Sequence, residues 1–83
     1  MNIQVFNLSI NTADRDLRKL FSAFGMVTSA EVVRDKWNGR SNCNAMIEMP
    51  VDKEARQAIA SLNEIIVDGK KISVSELSLN HGW

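Results

Sequence analysis

Asn42-Cys43-Asn44-Ala45-Met46-Ile47-Glu48-Met49 alternates with a period of two: Cys43, Ala45, Ile47 and Met49 fall on one side, Asn42, Asn44, Met46 and Glu48 on the other. Successive side chains of a strand point to opposite faces, so this spacing predicts a strand with one buried face. Cys43 is expected to pack on that face as a small apolar side chain. Upstream, Val27 to Arg34 reads as a second strand, and Asn38-Gly39 between the two is a strong hairpin signal, because tight hairpin turns demand positive φ. Downstream, Pro50 closes the strand, and Asp52 and Glu54 place acid in the electropositive first turn of a helix.

The same reading extends to both ends. Ile3 to Leu8 alternates as a strand, with Ile3 and Val5 opposite Gln4 and Phe6. Asn11 and Thr12 are N-cap candidates for a helix whose apolar face is Leu17, Leu20, Phe21 and Phe24, and Gly25 suits the left-handed position that ends it. Ala55, Ala58, Ile59 and Leu62 form one face of the second helix. Ile65 to Val67, Asp68-Gly69, then Ile72 and Val74 give a short strand, a turn and a last strand. The order β-α-β-β-α-β predicts an α+β fold, a ferredoxin-like sandwich with a four-stranded antiparallel sheet and two helices on one face. The domain is expected over residues 1–77, followed by a C-terminal tail, 78–83, whose Trp83 either stays loose beside His81 or folds over Phe6.

Composition narrows the function classes. A chain of 83 residues is one domain with a small core, burying about 60–65% of its unfolded surface. No apolar run approaches the ~20 residues that span a membrane, and nothing at the N-terminus reads as a signal peptide. The single Cys43 forms no intrachain disulfide, which suits a reducing compartment and makes the cytoplasm the default. One His and no Cys-x-x-Cys or phosphate loop argue against a metal site, a cofactor or a His-based relay, so catalysis is not expected. Ten basic and ten acidic residues cancel. That balance disfavours strong, non-specific polyanion binding but leaves room for a local basic patch.

These segments together resemble the RNA recognition motif, over roughly residues 2–77. Ile3-Gln4-Val5-Phe6-Asn7-Leu8 is similar to the family's first-strand hexamer, and Asp16-Leu17, Leu20-Phe21 and Phe24-Gly25 to its first helix and stop. Val33-Arg34-Asp35 and Gly39-Arg40-Ser41 resemble its second strand and hairpin, and Ala55, Ala58-Ile59, Leu62-Asn63 and Gly69-Lys70 its second helix and final turn. The opening octamer falls in the position of the family's Lys/Arg-Gly-Phe/Tyr-Gly/Ala-Phe-Val-x-Phe/Tyr. A short free-standing chain of this kind looks like the single-domain RNA-binding proteins of bacteria.

The resemblance implies a sheet on which three aromatic rings stack on bases or sugars. Those positions fall here at Gln4, Asn44 and Met46, and the octamer's opening cation becomes Asn42. Both motifs are therefore degenerate. If the family's strand pairing holds, Gln4 lies beside Met46 and Phe6 beside Asn44, and the open face carries Gln4, Phe6, Glu31, Val33, Asn42, Asn44, Met46, Glu48, Lys71, Ser73 and Ser75. A second candidate site is the hairpin loop, where Arg34, Lys36 and Arg40 surround Trp37. Cations beside an indole suit single-stranded nucleic acid; the alternative is that Trp37 folds down on their stems.

Two functions follow. One is a weak, low-specificity module for single-stranded RNA that uses Gln4, Phe6, Asn42, Asn44, Met46, the Arg34, Lys36, Trp37 and Arg40 loop, and Lys71. The other is a protein-interaction module, a homodimer or a partner-binding domain, that uses Phe6, Val33 and Met46. Family coverage and the basic aromatic loop favour RNA; neutrality and the missing rings favour protein.

Overall fold

The computed structural model describes residues 1–34, 36–37, 39 and 41–77, with the backbone alone at 41 and 42. Asp35, Asn38, Arg40, the Asn42 side chain and the 78–83 tail, with His81 and Trp83, lie outside the described residues. The elements are β1 (Asn2–Phe6), α1 (Asp14–Ser22), β2 (Ser29–Arg34), β3 (Ser41–Glu48), α2 (Asp52–Leu62), β4 (Ile66–Val67), β5 (Lys70–Lys71) and β6 (Ser73–Leu77). Four strands form an antiparallel sheet in the order β2-β3-β1-β6, and both helices pack on one face, as the hydrophobic alternation predicts.

The core is where the two periodicities meet. Ile3, Val5, Val32, Ala45, Ile47 and Val74 project from the sheet onto Leu17 and Phe21 of α1 and Ala55, Ala58 and Leu62 of α2, all at most 6% exposed. Full burial of one such large side chain, as at Phe21, stabilises by about 1.5–3 kcal/mol. Ala55 and Ala58, which end at Cβ, let α2 approach the sheet closely.

The outer strands β2 and β6 leave outward N–H groups that a sheet edge must satisfy or shield. The helices supply the acceptors. Val32 N–H donates to Asp14 Oδ1 at 2.8 Å, and Val74 N–H donates to Asn63 Oδ1 at 2.9 Å. The start of α1 and the end of α2 are thereby tied to opposite edges.

Several local expectations are corrected. Neither Asn11 nor Thr12 caps α1, whose N-cap is Ala13. Thr12 is buried and donates its hydroxyl to Asp68 Oδ2 at 2.8 Å, while Ala13 N–H donates to Asp16 Oδ2 at 2.9 Å. Gly25 does not cap the helix either: α1 ends at Ser22 with Ala23 in right-handed geometry, and Gly25 lies beyond it at φ 157°. Lys71 is not on the four-stranded sheet. It belongs to a β4–β5 hairpin, tethered to the end of β1 by Asn7 Nδ2 donating to the Lys71 carbonyl at 2.8 Å.

The largest departure from strict alternation is at Cys43. The β2–β3 pairing slips between Val32, opposite Ala45, and Arg34, opposite Ser41. Cys43 sits in this bulge with φ 63°, half-buried rather than in the core, and its carbonyl accepts Leu8 N–H at 2.9 Å. Left-handed geometry costs a residue with a Cβ about 1–2 kcal/mol, and glycine escapes that cost. The resembled octamer carries glycine at this position, and its physical reason is now visible. Cys43→Gly should therefore raise stability by about 1 kcal/mol, read as a higher midpoint in urea unfolding. A lower midpoint would show that packing of the thiol outweighs the backbone strain.

Candidate nucleic-acid interface

Strand register builds the open face in rows. Gln4 pairs with Met46, which pairs in turn with Glu31, and Ser75 flanks Gln4 on the other side. One row on, Phe6 lies between Asn44 and Ser73. The pairing of Gln4 with Met46 and of Phe6 with Asn44 is the one the family's strand order implies. Opposite Glu48, at the far end, stand Asn2 and Ser29.

The face so formed is shallow and partly apolar. Phe6, Val33 and Met46 are 41%, 38% and 37% exposed, and Phe6 is its one aromatic ring among the described residues. Gln4 Nε2 donates to Ser75 Oγ at 3.3 Å, a long bond that holds the amide along the sheet. Asn44 Oδ1 is shielded from solvent and accepts no hydrogen bond from the described residues. Gln4, Asn44 and Met46 thus supply no stacking cluster.

Charge divides along the strands. Within the four-stranded sheet the described charges of the open face are Glu31 and Glu48, with Arg34 at the end of β2. Glu48 is engaged, accepting the Thr28 hydroxyl at 2.8 Å. The cations gather past the Phe6–Asn44 row: exposed Arg34 ends β2, exposed Lys36 follows it, and exposed Lys71 sits beside the end of β1. Trp37, next to Lys36, is 93% exposed.

The sequence-derived candidates therefore fall into two groups. Gln4, Phe6, Asn44 and Met46 share the sheet face, and Arg34, Lys36 and Trp37 rim one end of it. Lys71 joins that end through a different hairpin. Asn7 was not singled out in the sequence, although it holds Lys71 in place. Its left-handed φ of 65°, which Asn tolerates better than most residues, was the available signal. Among the described residues no group of three or more His, Cys, Asp or Glu could hold a metal, and no helix is long and apolar enough to cross a membrane.

Comparison with known proteins agrees with this geometry. The RNA recognition motif family model matches residues 3–73. Glycine-rich RNA-binding protein 1 of Mycosarcoma maydis is 40% identical over 73 residues, which are 88% of this chain and 42% of that protein. Peptidyl-prolyl cis-trans isomerase-like 4 of Homo sapiens is 36% identical over 70 residues, 84% of this chain and 14% of that protein. The chain thus spans less than half the length of these curated relatives. Among solved structures, the crystal structure of RNA-binding protein PG1 superposes with a TM-score of 0.91 at 37% identity, covering 100% of this chain and 99% of that one. The Sex-lethal RNA recognition domains 1 and 2 from Drosophila melanogaster give 0.88 at 31% identity, covering 93% and 49%.

The expected bacterial kinship is corrected by these matches, since the curated relatives come from fungi, mammals and a plant. That expectation rested on the shortness of the chain, which says nothing about lineage. Fold, register and a family model that spans residues 3–73 converge, and the chain belongs to the RNA recognition motif family, as a member whose sheet lacks the aromatic stacking cluster.

Proposed function

We propose that the chain binds single-stranded RNA, weakly and with little sequence preference, at the end of the sheet where Phe6, Arg34, Lys36, Trp37 and Lys71 meet. The observation that carries this reading is Trp37, 93% exposed and next to a cation. A ring offers a base a stacking surface, and cations beside it neutralise phosphate. Likeness to glycine-rich RNA-binding protein 1, to RNA-binding protein PG1 and to the Sex-lethal RNA recognition domains supports RNA as the ligand. As a member of this family the chain is a binding module rather than an enzyme. The lone Cys43 suits a reducing compartment such as the cytoplasm.

Weak binding follows from magnitudes. Each base stacked on a ring is worth about 1–3 kcal/mol, and the sheet positions that usually provide rings hold Gln4, Asn44 and Met46. Trp37→Ala should therefore weaken binding of a labelled, randomised RNA heptamer by about tenfold, measured by fluorescence anisotropy. Removing Arg34 and Lys36 together should flatten the dependence of log K on log salt by about 1.4, at about 0.7 per phosphate contact on a single strand. Unchanged affinity in both variants would move the RNA away from this loop.

A second reading is favoured by one observation. Phe6, Val33 and Met46 are half-exposed on a sheet face that carries two carboxylates, Glu31 and Glu48, with Arg34 at one end, which suits a protein partner or a second copy of the chain. Self-association that ignores salt and disappears in Phe6→Ser, followed by sedimentation, would select it.

A further inference from the structure

Between β2 and β3 the open face dips. Glu31, Val33, Arg34 and Met46 line this shallow depression. Its floor is the apolar pair Val33 and Met46, with Glu31 at one side, opposite Met46 in the register, and Arg34 at the end of β2. Glu31 and Val33 are two residues apart on the same face, about 6.6 Å along the strand, which is room for one base and not for two. The Glu31 carboxylate is exposed and makes no hydrogen bond or ion pair among the described residues, unlike Glu48 with its Thr28 partner.

A carboxylate on an RNA-binding surface opposes phosphate by charge, so its use has to lie in its hydrogen bonding. An ionised carboxylate only accepts, through two oxygens held side by side. Unstacked bases in single strands are read on their Watson–Crick edges. Of the four RNA bases, guanine alone presents two donors side by side there, N1–H and the N2 amino group. Adenine and cytosine set a ring-nitrogen lone pair beside their amino donor, and uracil flanks its single N–H with carbonyl oxygens. Each of those three turns a lone pair toward the carboxylate.

We propose that this depression is a guanine subsite. Glu31 accepts from N1–H and N2–H, the Met46 thioether and Val33 lie against the base plane, and Arg34 meets a flanking phosphate on the side away from Glu31. The inference rests on the RNA-binding reading above and gives that otherwise unselective surface one base preference. Discrimination comes from the edge of the base, so it survives without a stacking ring.

The test is a titration of the intact chain and of Glu31→Gln with the pentaribonucleotides UUGUU, UUAUU and UUIUU, where I is inosine, guanine without its amino group. UUGUU should bind about tenfold more tightly than UUAUU, the effect of one good two-point contact, with UUIUU between them. Glu31→Gln should bring the three close to equal, while binding of UUAUU holds or improves because a negative charge has gone. Equal binding of all three by the parent chain would overturn the subsite and leave RNA binding standing. A guanine preference that persists undiminished in Glu31→Gln would overturn the role of the carboxylate. Absence of binding to every pentamer would overturn the RNA reading and the subsite with it.

Discussion

A Gln4→Tyr, Asn44→Phe, Met46→Phe variant should bind a single-stranded RNA heptamer at least about a hundredfold more tightly than the parent chain. The three side chains stand in paired rows on the open face, so rings placed there face solvent and not the core. Each ring can stack one base, at about 1–3 kcal/mol, and a hundredfold corresponds to about 2.8 kcal/mol in total. Ordering of a longer stretch of RNA takes back part of the gain, which is why the expectation sits at the lower end of the sum. The losses on the protein side are small. Gln4 gives up a 3.3 Å bond to Ser75, and Asn44 gives up an amide whose shielded Oδ1 has no donor among the described residues. Since no cation is added, the salt dependence should keep its slope while the whole line rises. A gain under about threefold, in a variant whose circular dichroism matches the parent, would mean that RNA does not lie on the sheet.

That a chain without these rings could still be placed in its fold has a physical explanation. Buried positions repeat with the period of their element, and Ile3, Val5, Leu17, Phe21, Ala55, Ala58 and Leu62 are all core residues that alternation or helical spacing picks out. The pairing of Gln4 with Met46 came from the family resemblance, whose strand order the sheet keeps. What stayed hidden depends on partners distant in sequence or on backbone that breaks the period. Thr12 looks like a cap until Asp68, 56 residues away, takes its hydroxyl. Cys43 looks buried until a bulge interrupts the count between Val32 and Arg34. The candidate site divides the same way. That Gln4, Phe6, Asn44 and Met46 share one face was legible from alternation, whereas the placement of Lys71 on its own hairpin, away from the carboxylates on the sheet, needed the register.

Gly25→Ala should destabilise the domain by about 2–5 kcal/mol, a large share of the ~4–12 kcal/mol expected for a chain of this size. Sequence alone suggested a helix stop, but the requirement for glycine comes from elsewhere. At φ 157° the backbone is in a region that residues with a Cβ rarely enter, which accounts for about 1–3 kcal/mol. A Cβ built there would lie 2.7 Å from Glu54 Cβ and closer still to its carboxyl group. The carboxyl end can swing away, but Glu54 Cβ is fixed by the first turn of α2, so the helix itself must shift, an overpacking cost of about 1–3 kcal/mol. When the carboxylate moves, Met26 N–H loses the acceptor it holds at 3.1 Å. Thermal unfolding followed by circular dichroism should show a midpoint lowered by roughly 10–30 °C. A double-mutant cycle with Glu54→Ala isolates the carboxyl group's share, because that change removes the carboxyl group and keeps Cβ. The cycle should recover part of the loss and not all of it. Full recovery would reduce the requirement for glycine to a clash with one flexible carboxylate, and no recovery would assign it to backbone conformation and the contact with Glu54 Cβ.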